Sequence, residues 1–189
     1  ITSRYLKTWK SLLDLDIQDE FSGVEQIRLE PHSFTFYTSV SVMSSSKIEG
    51  EQLEVDSFVK HKLLQIEYLP ELTEKPNDLY NAYLFAQDYP LTYANFLEAH
   101  KLISAHLLPE RLRGTLRKTE MLVMEHKTGR IQYEAAPLGL IEKEFEAFWT
   151  EIDELLQETM PVEEVFYYAS FIHLVFVNIH PFSDGNGRL

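Results

Sequence analysis

The feature that most constrains this chain is a nearly uninterrupted apolar run, EEVFYYASFIHLVFVNI, at 163–179, closed by His180-Pro181. Seventeen residues is too long for a typical strand. A helix that is apolar on all sides belongs at the centre of a fold. The chain is therefore expected to be built around this segment, with amphipathic helices covering it. Pro181 disfavours helical geometry in the residue before it, so the helix has to end near Ile179. That leaves His180 at its C-terminal mouth.

Most other segments also carry a helical period. Tyr5, Leu6, Trp9, Leu12, Leu13 and Leu15 have that spacing over 4–16. Residues 44–69 read as two helical stretches broken at Gly50, and 141–156 as a helix with Phe145, Phe148, Trp149, Ile152 and Leu155 on one side. TEKPND at 73–78 reads as a linker, in which Asn77 or Asp78 caps a helix running through Leu79 and Tyr83 to Ala86 and stopped by Pro90. Thr92 caps the next helix, with Phe96, Ala99, Leu102, Ile103, His106 and Leu107 facing inward and Pro109 ending it. Two stretches break the pattern. Phe34, Phe36 and Val40 suggest extended chain over 29–40, and 115–134 reads as a β-hairpin turning at His126-Lys127-Thr128-Gly129. The expected class is mainly α with one small hairpin, as an N-terminal helical region at 1–76 and a core at 77–189.

Composition narrows the partners. No apolar run reaches the roughly 18 residues of a membrane span, so no membrane partner is expected. The chain has no cysteine, which excludes disulfides and thiolate metal sites and fits a reducing, cytoplasmic setting. The net charge of −13 disfavours nucleic acid, whose phosphates it would repel. A polyanionic ligand would need a local positive island.

The closing stretch HPFSDGNGRL offers one. Gly185 and Gly187 permit positive φ around Asn186, a turn that gathers backbone N–H groups into an anion nest. A helix beginning near Gly187 would add its dipole. Arg188 supplies a fork suited to phosphate oxygens. Asp184 is a hard oxygen ligand of the kind Mg²⁺ takes alongside substrate phosphates. His180 titrates near neutrality, as a general base should. Together these suit phosphoryl or nucleotidyl transfer. An EF-hand is excluded because Phe182 would occupy its first ligand position, and no Gly-Lys-Ser/Thr exists for a Walker loop. DGNG taken alone is also an ordinary turn sequence.

As a whole, His180-Pro181-Phe182-Ser183-Asp184-Gly185-Asn186-Gly187-Arg188 resembles the signature of the Fic family, His-x-Phe-x-Asp/Glu-Gly-Asn-Gly-Arg, at every specified position. The resemblance covers roughly 79–189 and includes NFLEAHKLI, RGTLR and YEAAP. It implies a Fic-type helical bundle with a hairpin flap over the active site. It further implies a protein adenylyltransferase that moves AMP from ATP to a side-chain hydroxyl of a target protein. In that scheme His180 is the base and Asp184 holds Mg²⁺. Gly185, Asn186, Gly187 and Arg188 cradle the phosphates, and Phe182 anchors the loop inward. The hairpin at 115–134 would dock an extended segment of the target.

The same resemblance extends to SSKIEG, which is similar to the family's inhibitory pattern Ser/Thr-x-x-x-Glu-Gly/Asn at Ser45, Glu49 and Gly50. There the glutamate enters the nucleotide site and pairs with a second arginine, three residues after the first. That arginine and the helix carrying it would fall past Leu189, so the 189 residues are expected to be a fragment that binds nucleotide poorly. Whether Glu49 reaches Arg188 instead is open. Alternative readings are removal of AMP, transfer of another nucleotide or phosphate group, and a non-catalytic protein-binding module. Homo-oligomerisation is compatible with any of them.

Overall fold

The computed structural model describes residues 1–13, 16–26, 31–124 and 128–189. The chain divides into two compact units. One comprises Ile1–Arg28 with Lys118–Pro181, the other Leu29–Arg117 with Phe182–Leu189.

The first unit contains α1 (Leu6–Ser11) and α2 (Ile17–Gln26). Its second segment carries the hairpin strands β1 (Leu122–Met124) and β2 (Ile131–Glu134), then α7 (Ile141–Leu155) and α8 (Val162–Ile179). The buried residues Ile141, Phe145, Phe148, Trp149 and Ile152 form one stripe on α7 at helical spacing. Phe148 of that stripe lies 6.1 Å from Phe176 of α8, and Trp9 of α1 lies 5.7 Å from Tyr167 of α8. Such aromatic pairs add to burial. The all-round apolar segment is thus a helix, but it is not buried all round. Tyr167, Phe176 and Ile179 are buried, whereas Val165, Phe166 and Leu174 are about half exposed. Apolar composition fixes what a helix would gain by burial, not what its own unit supplies as cover. At 18 residues and mean hydropathy 1.3, α8 is also long and apolar enough to cross a membrane by those measures, contrary to the sequence expectation.

The hairpin is antiparallel, pairing Leu122 with Glu134 and Val123 with Tyr133, and a bulge follows Val123. Its strands are shorter than 115–134. His126 and Lys127 of the expected turn lie outside the described residues, while Gly129 does adopt positive φ, at 65°.

The second unit holds α3 (Pro31–Ile48), α4 (Val55–Leu64), α5 (Pro70–Asp88) and α6 (Tyr93–Ile103), around a core that includes Val42, Met43, Phe58, Leu79 and Ile103. Several sequence expectations are corrected here. The extended chain expected at 29–40 is helix from Pro31 onward, with 29 and 30 outside the described residues. Proline at the first helical position presets φ. The inward stripe is Ser39, Val42, Met43 and Ser46, with Phe36 exposed and Phe34 half-buried, so the phenylalanines do not mark the buried face.

The linker expected at 73–78 lies inside α5, as does the boundary drawn after residue 76. Pro76 costs that helix a backbone hydrogen bond, and burial of Pro76, Leu79, Tyr80 and Ala82 offsets it. Asp78 caps no helix. Its carboxylate accepts the backbone N–H of His106 at 2.8 Å and the His106 ring Nδ1–H. A continuing α6 would aim that same backbone N–H at Leu102, so this bond opposes continuation of α6, which ends at Ile103, well before Pro109. Thr92 does cap α6, accepting from the Asn95 N–H.

Candidate active site

The end of α3 is set by one glycine. Gly50 sits at φ +93°. Its N–H reaches the Lys47 carbonyl at 3.1 Å, and the Glu51 N–H reaches Ser46 at 3.0 Å. This is the Schellman arrangement, which satisfies the last carbonyls of a helix. It holds Glu49 at the cap and Glu51 just beyond it. Ser45, one turn earlier, accepts the Glu49 N–H through its carbonyl at 3.3 Å.

In the same unit, residues 182–188 form a braced loop. Phe182 is fully buried and stacks on His100 with ring centroids 3.7 Å apart. Asn186 turns its amide back on the loop. Its Oδ1 accepts the Phe182 N–H at 3.0 Å, and its Nδ2 donates to the Phe182 carbonyl at 2.9 Å. The Asn186 side-chain amide is thus engaged within the loop itself. Gly185 takes the positive φ that the sequence requires, +82°, whereas Gly187 does not. At Gly187 the Glu49 carboxylate lies over the backbone, and a Cβ there would make that flexible side chain move aside.

Asp184 Oδ1 accepts the Gly185 N–H at 2.6 Å, and the Arg188 N–H closes on the Gly185 carbonyl at 3.2 Å. The backbone amides of Asn186 and Gly187 take no part in these bonds. Among the described residues no group of three or more His, Asp or Glu side chains could hold a metal on its own.

Arg188 is the cation of the loop, and its side chain is only 6% exposed. A buried guanidinium needs a counter-ion. Nη2 donates to Glu51 Oε1 at 3.1 Å, the oxygen that also accepts from Lys75 Nζ at 3.1 Å. The partner of Arg188 is thus Glu51 and not Glu49. Arg188 Nε is buried with no acceptor. Beside it, α5 and α6 leave an apolar groove of about 200 Å³, flanked by Phe85, Tyr89 and Phe96.

His100 holds the loop from α6. Its Nδ1 accepts the Gly114 N–H at 2.8 Å, so Nε2 carries the proton and donates to the Asp184 carbonyl at 2.9 Å. Protonating Nδ1 would set two donors against each other. Burial pushes the His100 imidazole below the usual histidine value, and the Asp184 carbonyl only partly opposes this. The unfolded chain then binds the proton more readily than the folded one. His100 contributes its stability fully above the unfolded value of about 6.5, and loses it as pH falls from there toward the folded value. The thermal midpoint is expected to fall between about pH 7 and about pH 5. His100→Gln should flatten that slope in a melting series across the same range.

In the first unit, His180 closes α8. Its backbone is left-handed, φ 52° and ψ 59°, with its N–H on the Phe176 carbonyl at 2.9 Å. A side chain in that region costs roughly 1–2 kcal/mol. Ring Nδ1 lies 3.2 Å from the Val177 carbonyl oxygen. A carbonyl only accepts, so Nδ1 carries the proton and Nε2 the lone pair. Only Pro181 separates His180 in sequence from the braced loop.

The sequence model of the Fic/DOC family matches residues 90–189. The chain belongs to the Fic/DOC family. Over 108 residues it is 32% identical to proteins named protein adenylyltransferase Fic from Culex quinquefasciatus and Nematostella vectensis. The match covers 57% of this chain and 19% and 23% of those proteins, so the chain spans about a fifth of their length. A solved Fic family protein from Desulfovibrio desulfuricans superposes with a TM-score of 0.73 at 18% identity, covering 100% of this chain and 55% of that one. At that identity the likeness concerns the fold, which is the mainly α class with a small hairpin expected from the sequence.

Three residues of this Fic/DOC chain escaped the sequence reading. His100 is four residues after Phe96 and three before Ile103, so it shares their inner face and its spacing was readable. Glu51 follows the glycine that ends α3, and nothing in the sequence pairs it with Arg188. Tyr133 lies in a strand whose inward face the short hairpin pattern does not mark.

Proposed function

We propose that this Fic/DOC chain transfers AMP from ATP to a side-chain hydroxyl of a target protein. The observation that carries the reading is His180, a histidine whose Nδ1 is turned to a main-chain carbonyl and whose basic nitrogen is therefore Nε2. In sequence it is followed, after Pro181, by a loop bearing a buried arginine. Nε2 takes the hydroxyl proton, the hydroxyl oxygen bonds to the α-phosphorus, and the bond from that phosphorus to the bridging oxygen breaks to release pyrophosphate. Backbone amides of the loop and Arg188 receive the phosphate charge. Asp184 would hold Mg²⁺ together with the phosphates, and the bound ion would neutralise part of their charge. Names of the relatives support this direction of transfer.

The hairpin suits an extended target segment, because Leu122, Met124 and Ile131 present exposed apolar side chains along it. Mass spectrometry of the protein with ATP, and of a lysate given both, is expected to find hydroxyl side chains carrying AMP. Finding none in either sample would count against the reading.

Glu49 and Glu51 fit a restraint on this activity. The Glu49 carboxylate occupies the space over Gly187, where it would repel nucleotide phosphates, and Glu51 satisfies Arg188 in their place. Glu49→Gly is expected to raise self-modification by about tenfold, the factor that roughly 1.4 kcal/mol of relieved repulsion gives. Equal incorporation by parent and variant would remove Glu49 from the account.

A further inference from the structure

We infer that Tyr133 is a positioning residue for His180, fixing which imidazole nitrogen is basic; the inference rests on His180 being the base proposed above. Three groups meet within one unit. The Tyr133 hydroxyl donates to the Val177 carbonyl at 2.9 Å. His180 Nδ1 lies 3.2 Å from that same oxygen and 3.4 Å from Tyr133 Oη. A phenol has one proton, and the shorter contact, 2.9 Å against 3.4 Å, assigns it to the Val177 carbonyl. Toward Nδ1 the hydroxyl therefore offers a lone pair. Both oxygens beside Nδ1 are then acceptors, and a ring with its lone pair on Nδ1 would face two other lone pairs. The arrangement selects the ring that is protonated on Nδ1 and basic at Nε2.

The two rings also meet edge to face, with centroids 6.4 Å apart and planes at 65°. That contact limits rotation of the imidazole and would survive loss of the hydroxyl. Burial pushes the Tyr133 phenol above its ordinary value, which keeps the proton it donates. β2 supplies Tyr133 through its register opposite Val123, so a strand of the hairpin sets the state of a helix-end histidine.

Tyr133→Phe tests this, because it keeps the ring and removes only the oxygen. AMP transfer is expected to lose about 3–10-fold in kcat with KM for ATP unchanged, the scale of one hydrogen bond. Nitrogen NMR of His180 should change from the Nδ1-protonated form to a mixture of the two tautomers. A merely structural role would lower the thermal midpoint without moving that spectrum. An unchanged tautomer, or a changed tautomer with an unchanged kcat, would overturn the inference while parent activity stands. If the parent transfers no AMP, the proposed function falls, and the nitrogen spectra of parent and variant still decide whether Tyr133 fixes the tautomer.

Discussion

His180→Ala is expected to lower AMP transfer by about 10²–10⁴, the usual worth of a positioned general base. His180→Gly should lose as much activity, and stability is where the two variants part. The left-handed backbone at φ 52° is unfavourable for any side chain, so alanine keeps the strain that histidine bears. Glycine removes it and should melt higher than alanine, by about 1 kcal/mol of stability. A residue kept where glycine would fold better is held there for its imidazole. Turnover and thermal melting of the parent and both variants check this together. Retained turnover in either variant would remove His180 as the base.

Phe182→Ala is expected to give the largest loss of stability, about 3–5 kcal/mol, the range for emptying a fully buried phenylalanine site. Phe182 is 0% exposed, lies against His100 and has Phe96 6.3 Å away. Its backbone N–H and carbonyl are the two groups that Asn186 binds. Removing the ring therefore leaves a cavity under the loop and frees the segment carrying Asp184, Gly185 and Arg188. The thermal midpoint should fall by about 10 °C in a domain of this size, and ATP affinity should fall with it. Phe182→Leu refills much of the volume and should recover most of both. A midpoint unchanged by alanine would mean that the loop is seated by other contacts.

Gly185 was legible in the sequence by residue type, because glycine takes positive φ without steric cost, and it sits at +82°. Residue type also made Asp184 and Arg188 candidates for a cation and a phosphate, and those roles belong to the proposal above. The direction in which Asn186 points is not a property of residue type. In the folded chain it braces Phe182 instead of facing outward. The helical elements with strong stripes, α6 and α7, were readable because one face had to be apolar. The helix from Pro31 was not, because its inward face uses Ser39 and Ser46 beside Val42 and Met43 while Phe36 faces solvent. Pro76-Asn77-Asp78 has the local chemistry of a turn, and only the burial of α5 overrides it. Glu51 and Tyr133 act on residues 137 and 47 positions away. Pairings of that kind are made by the fold and leave no periodic mark.

ATP labelled at the α-phosphorus, compared with ATP labelled at the γ-phosphorus, tests the central claim most directly. With Glu49→Gly protein, α-label should become acid-stable on protein, γ-label should not, and His180→Ala introduced into Glu49→Gly should abolish the signal. Incorporation of γ-label, or of neither, would contradict AMP transfer by this loop.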